Sequence, residues 1–281
     1  MQIKQKAKNR IKYVLGEFII FCQPKKALML YKKGLTLDTN LSLKGRLIRF
    51  TLLEKHQKKN DFKALSKVHK TYWEKQGKAY FSGKYNNNTL ENFFIPECSF
   101  LIDLLKEKLK NETENYNTLI EIGTGDGTVL DYLSSIFIQI DKFIGLDLSA
   151  DQINANKLTF KLNSKLEFVS ADGVDWIKKH AESYTIVLTS RGVLEYFTEY
   201  RLQKFLNRLK KKGKIIFIAI EPTAANHDFS INPNSQIYGH ESSFSHNYAK
   251  LFKNAGFSIW HESRKLFSSE IYFTFFGAKT D

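Results

Sequence analysis

From Thr118 onward the chain alternates short, almost unbroken apolar runs with amphipathic ones. The apolar runs are TLIEIG (118–123), KFIGLDL (142–148), KLEFVSAD (165–172), YTIVLTS (184–190), KIIFIAIEP (214–222), GFSIWHESR (256–264) and EIYFTFFGAK (270–279). Between the first six lie segments with apolar residues three and four apart, such as DGTVLDYLSSI, SADQINANKLTFKL and TEYRLQKFLNRLKKKG. Continuous apolar strands alternating with helices predict an α/β fold: a mostly parallel, seven-stranded sheet with helices on both faces. The last two runs are joined only by SRKLFSS. A parallel crossover needs a dozen or more residues, so the last strand is expected to run antiparallel.

Upstream the period is helical throughout. IKYVLGEFIIFC, KKALMLYKKGL, LSLKGRLIRFTLLEKHQKKN and FKALSKVHKTYWEKQ are broken at Pro24, at Gly34 and at Asp38–Asn40. KYNNNTLENF (84–93) predicts a polar loop, and residues 96–112 a helix opened by Pro96. The organisation expected is a basic helical extension over 1–94 and an α/β domain over 95–281.

Composition adds a core and an asymmetry. With 42% apolar residues, 23 Phe and 13 Tyr, the chain can bury a sizeable interior. Residues 1–80 hold 20 Lys/Arg against 5 Asp/Glu, whereas the other 201 residues hold 23 against 24. The formal charge of +14 therefore belongs to the N-terminal helices, which should be drawn to phosphates: anionic lipid, nucleic acid or a phosphorylated substrate. Cys22 and Cys98 form no metal or disulfide spacing, which fits a reducing compartment. No apolar stretch is long enough to span a bilayer, and Lys12 and Glu17 interrupt the run at 11–22, so neither a membrane span nor a signal peptide is expected. The location expected is cytoplasmic, with peripheral contact at the inner membrane face through residues 1–80.

The chemistry begins at Glu121-Ile-Gly-Thr-Gly-Asp-Gly127. Gly123, Gly125 and Gly127 let the backbone turn sharply and approach a ligand, and the helix starting near Asp126 offers unpaired N–H groups. A nucleotide-type ligand at this crevice calls for an acid at the end of the second strand, and Asp147 is there, 22 residues after Gly125. Asp172 stands after the third strand, where its carboxylate could accept from an exocyclic amine. The pattern is E-x-G-x-G-x-G, neither the dinucleotide fingerprint nor a phosphate loop, and its leading acid suits a cationic ligand better than a pyrophosphate.

These residues resemble the class I S-adenosylmethionine-dependent methyltransferases over about 95–281. The resemblance implies a Rossmann-like fold and S-adenosylmethionine as cofactor. It implies a loop of Gly123, Thr124, Gly125, Asp126 and Gly127 under the methionine moiety, with Glu121 supporting the loop and the amino group. Asp147 would bind the ribose hydroxyls, Leu148 would lie against adenine, and Asp172, flanked by Ala171 and Gly173, would meet the adenine amino group. Ser190 and Arg191, in SRGVLEYF (190–197), would line the cofactor and the transferred methyl. Tyr184-Thr185 stands where the family often has Asp.

Several acceptors are disfavoured. SRGVLEYF lacks the Asn/Asp-Pro-Pro-aromatic motif of base-amine methylation, no Cys lies there for cytosine C5 attack, and only Glu221 is placed as a metal carboxylate, so no metal is expected. A small-molecule or glycan acceptor remains, with O-methylation of a sugar hydroxyl favoured by the polar segment 221–257 that can roof the site. His240, His246 and Glu195 are the candidate catalytic residues, and Tyr72, Trp73 and Tyr80 are candidates for closing over the cofactor. The alternatives are an RNA methyltransferase reading nucleic acid through residues 1–80, a lipid or quinone methyltransferase, and a non-catalytic cofactor-binding module.

Overall fold

The computed structural model describes residues 2–37, 41–82, 88–113 and 115–281. Asp38–Asn40 and residues 84–87 of the expected polar loop lie outside them. Four helices come first: α1 (Gln2–Cys22), α2 (Pro24–Lys33), α3 (Leu43–Lys58) and α4 (Phe62–Phe81). The breaks are chemical. Pro24 sits in the first turn of α2, where a missing N–H costs nothing, and the side chains of Ser42 and Asp61 accept from the N–H groups of Gly45 and Ala64 to start α3 and α4. A π-helical turn (Leu90–Phe94) then leads directly into α5 (Ile95–Lys110) where the sequence pattern suggested a loop, because Phe93 and Phe94 are buried and draw the segment inward.

The rest is β1 (Thr118–Ile122), α6 (Thr128–Ile136), β2 (Lys142–Asp147), α7 (Ala150–Thr159), β3 (Leu166–Ser170), α8 (Gly173–His180), β4 (Thr185–Ser190), a 3₁₀ turn (Leu194–Tyr196), α9 (Glu199–Lys210), β5 (Ile215–Ala224), the short hairpin β6 (Gln236–Tyr238) and β7 (Ser243–Ser245), α10 (Tyr248–Asn254), β8 (Ser258–Ser268) and β9 (Ile271–Lys279). Seven strands form one sheet in the order β3-β2-β1-β4-β5-β9-β8. The first five are parallel, and β9 is antiparallel to both of its neighbours. SRKLFSS is not a connection but most of β8, which turns tightly into β9 after Ser268. Its exposed, charged residues suit the edge of a sheet.

The alternation of side chains splits the core. One cluster, with Leu101, Leu105, Leu130, Leu133 and Phe143, packs α5 and α6 on one face. The other, with Ile120, Ile144, Leu206, Phe217 and Phe252, packs α8, α9 and α10 on the opposite face. A smaller third cluster joins Leu35, Leu53, Leu65 and Val68 of the N-terminal region to Phe244 of β7. Register places the functional strand ends level: Ile122 pairs with Leu146 and Thr189, and Asp147 pairs with Ser170. The chain runs outward from β1 to β2 and β3 and then returns to β4 on the other side of β1, and this reversal of strand order opens a crevice at the carboxyl ends.

Candidate cofactor and acceptor site

At that crevice lies a cavity of about 440 Å³, within the range of small-molecule sites. Its floor is the glycine turn. Gly123, Gly125 and Gly127 all have left-handed backbone, with φ of 75°, 53° and 81°. The N–H groups of Gly123 and Thr124 both donate to the Leu146 carbonyl, folding the turn back over β2. Asp126 accepts from the N–H and hydroxyl of Thr128, so α6 starts two residues later than the sequence pattern suggested.

The carboxylates divide into two kinds. Glu121 is buried and its Oε2 accepts from the Thr124 hydroxyl at 2.7 Å; burial pushes its pKa up to about 8. Asp147 accepts from the N–H groups of Ser149 at 2.8 Å and Gly125 at 3.2 Å; burial raises its pKa to about 6 against the pull of these bonds. Among the described residues neither has a cation beside it. Asp172 differs. Its two oxygens accept from Arg201 Nη2 at 2.7 and 2.6 Å, from Lys70 Nζ at 2.9 Å, and from the N–H groups of Val174 and Asp175, which it caps at the start of α8. Five contacts saturate the roughly four lone-pair positions of a carboxylate. Asp172 lines the cavity but has no acceptor position left for an adenine amine, so it is a structural anchor that ties α4 and α9 to the end of β3.

Leu148, Ala171, Gly173, Ser190 and Arg191 line the cavity. Arg191 is itself left-handed (φ 63°), donates to Thr89 Oγ1 and lies over the Phe93 ring. Among the described residues the buried Ser190 Oγ has no hydrogen-bond partner.

Across from the glycine turn stands a wall assembled from distant segments. Trp73, Tyr80 and Phe81 of α4 line it, with Phe81 against Gly125. Tyr72 instead packs on Gly34 and Trp73. Tyr196 donates to Glu241 at 2.9 Å, and Tyr238 donates to Glu195 at 2.5 Å. Burial and the charge of Glu241 raise the pKa of Glu195. The β6–β7 tip is held from the helices: Gln57 donates to the Ser242 hydroxyl and His69 to the Ser242 carbonyl. The polar segment 221–257 thus supplies a wall of the cavity, as expected.

The histidines sort clearly. His240 lies at the cavity rim, 71% exposed at its side chain, with Glu241 3.9 Å away. His246 is fully buried and lies outside the cavity lining. Its Nε2 donates to the Leu194 carbonyl, its Nδ1 accepts from Ser235, and burial lowers its pKa to about 4. It is a neutral structural residue, which removes it from the catalytic candidates. Glu221 accepts from the N–H groups of Val193 and Leu194 and so builds the turn that presents Glu195. Glu241, Tyr196, Phe81, Lys70 and Arg201 were not singled out from sequence. Phe81 extends the Tyr72/Trp73/Tyr80 cluster and Glu241 adjoins His240, but nothing local marks Lys70 or Arg201.

The donor set fits S-adenosylmethionine. Two buried carboxylates without cationic partners among the described residues, Glu121 and Asp147, line a cavity cradled by left-handed glycines, where a positively charged ligand would relieve their burial. Glu121 and the glycine turn would hold its amino acid end, and Asp147 its ribose hydroxyls.

A family model described as a methyltransferase domain matches residues 94–262. No curated protein matches the chain. Among solved structures, magnesium protoporphyrin IX methyltransferase from Synechocystis PCC 6803 with bound S-adenosylmethionine is 12% identical; the match covers 76% of this chain and 96% of that one, with a TM-score of 0.51. The N-methyltransferase NodS from Bradyrhizobium japonicum WM9, in complex with S-adenosyl-L-homocysteine, is 14% identical over 73% of this chain and 97% of that one, with a TM-score of 0.49.

Proposed function

Because the chain belongs to the methyltransferase-domain family and is an S-adenosylmethionine-dependent methyltransferase, we propose that its acceptor is a hydroxyl of a sugar or glycan precursor. The observation that carries this reading is the pair Glu195–Tyr238 in the cavity wall. When bound, the cofactor supplies an electrophilic methyl group on a sulfonium. An alcohol acceptor must lose a proton as its oxygen is alkylated, so it needs a base beside it. Glu195 is an acceptor-side carboxylate of the cavity whose raised pKa brings it toward that task, and Tyr238 holds its Oε2 in place. Tyr196, Tyr238, Glu241 and Ser243 offer hydrogen-bonding groups of the kind a polyhydroxyl ring requires, while Trp73 and Phe81 keep water from the other side.

The test is transfer of labelled methyl from S-adenosylmethionine to nucleotide-sugars, glycans, amines, lipids and RNA, with wild type, Glu195→Gln and Tyr238→Phe. Base-stable O-methyl sugar is expected, reduced about 10²–10⁴-fold in Glu195→Gln, as for loss of a general base, with cofactor binding retained. Transfer to amines, lipid or RNA alone would sink the proposal.

A further inference from the structure

The N-terminal helices leave an apolar strip uncovered. α1 approaches α3 so closely at Gly16 that a Cβ there would run into Thr51 Oγ1 and the Leu47 carbonyl. The Thr51 hydroxyl donates to the Tyr13 carbonyl along the same line of contact. That face fixes the other. At 100° per residue, Ile11, Val14, Leu15, Phe18 and Phe21 fall on the side away from Gly16, and all five are exposed, Phe18 by 65% and Phe21 by 84%. A helix this apolar on its outer side is unusual for a surface that meets only water.

The surrounding charge says what covers it. Lys6, Lys8 and Arg10 precede the strip on α1, and the only acid of that helix, Glu17, is paired with Lys55 at 2.9 Å. After Gln23 comes α2, which has no acidic residue. On it Leu28 and Met29, each 53% exposed, floor a shallow depression ringed by Lys25, Lys32, Lys33 and Lys75. Lysines around exposed aliphatic and aromatic side chains are the composition of a helix lying in a bilayer interface, where apolar groups enter the acyl boundary and ammonium groups meet phosphates. A protein partner would be disfavoured by so many lysines at its centre. Nucleic acid would use the charge but leave Ile11, Val14 and Leu15 in water. No helix among the described residues is long and apolar enough to cross a membrane.

We propose that the outer faces of α1 and α2 dock the enzyme on an anionic phospholipid surface, with Phe18 and Phe21 inserted and Lys25, Lys32 and Lys33 on headgroup phosphates. The proposal does not depend on which acceptor the cavity takes.

Co-sedimentation of the full chain with phosphatidylcholine vesicles, with and without about one third phosphatidylglycerol, tests it. Anionic vesicles should bind at least about tenfold more tightly, and binding should weaken with salt. Phe18→Ser/Phe21→Ser should weaken that binding at least about tenfold, and Lys25→Gln/Lys32→Gln/Lys33→Gln should flatten its salt dependence. Both variants alter only surface residues and should keep wild-type affinity for S-adenosylmethionine. Failure to bind anionic vesicles, or binding unchanged in the Phe variant, would overturn the proposal. So would a wild-type dimer in sedimentation that the Phe variant makes monomeric, or tighter binding to single-stranded RNA than to vesicles.

Discussion

The two sides of the cavity are built by different means. On the cofactor side the contacts are short in sequence: Thr124 to Glu121, Thr128 to Asp126, Ser149 to Asp147. Parallel register then brings these turns level, so that Gly125 and Asp147 meet across 22 residues. On the acceptor side the contacts are long. Tyr238 reaches Glu195 across 43 residues, Tyr196 reaches Glu241 across 45, and Gln57 and His69 reach Ser242 across 185 and 173. A site made of turns at strand ends is governed by local backbone rules, whereas a site made of converging loops depends on the whole tertiary arrangement.

The sharpest way to break this contrast is a pair of glycine substitutions. At Gly125 a side chain would face φ +53° and the Phe81 ring 2.6 Å from its Cβ. Gly125→Val should therefore weaken S-adenosylmethionine binding at least about 100-fold, since left-handed strain of about 1–3 kcal/mol adds to displacement of the ring. Gly239, at the hairpin tip, is also left-handed, but a Cβ there meets nothing within 4 Å. Gly239→Ala should leave cofactor affinity within about threefold and act on the acceptor KM instead. Calorimetry and steady-state kinetics read both. If the two substitutions impair cofactor binding equally, the sides are not separable.

Next in size is the comparison of Asp147 with Asp172. Asp147→Ala should weaken the cofactor at least about tenfold, or about 1.4 kcal/mol. Asp172→Ala should leave affinity within about threefold but lower thermal stability by about 1 kcal/mol or more, through loss of the α8 cap and of the Lys70 and Arg201 pairs. Weakened binding without lost stability would show that Asp172 serves the ligand directly.

Sequence made the cofactor side readable because glycines at alternate positions and acids after apolar runs are local marks. The seven apolar runs likewise marked all seven strands of the main sheet, and the antiparallel β9 follows from a turn after Ser268 even shorter than the link the pattern suggested. Asp172 marks where this way of reading stops. Its position after β3 was legible, but its partners, Lys70 on α4 and Arg201 on α9, are 102 and 29 residues away. His246 had the residue type of a base, and only burial, together with two ring hydrogen bonds, removes it from catalysis. The strand identity of SRKLFSS was hidden because an edge strand need not be apolar.

The smallest effect expected is one of pH, and Glu121 isolates its cofactor-side part. Glu121 and Glu221 have folded pKa values raised to about 8 and about 7, from 4.5. The native state therefore holds protons that the unfolded chain has released, and each group loses stability as pH rises between its unfolded and folded values. The buried histidines His69 and His246, lowered from 6.5 to about 4, act in the opposite sense, but only below 6.5. Between pH 6.5 and 8 the carboxylates act alone, so the Tm of the free enzyme should fall by a few degrees, at roughly 2–4 °C per kcal/mol for a chain of this size. The ammonium group that the cofactor would bring to Glu121 favours the ionised carboxylate, so the Tm increase produced by S-adenosylmethionine should grow over the same interval. S-adenosylhomocysteine, which carries the same amino group, should show a similar growth. Glu121→Gln should remove its share of the slope in both, while Glu221 and the likewise raised Glu195 keep the remainder in the free enzyme. A flat Tm in the free wild type would mean that Glu121 is already ionised and paired, and that a cationic ligand has nothing to relieve there.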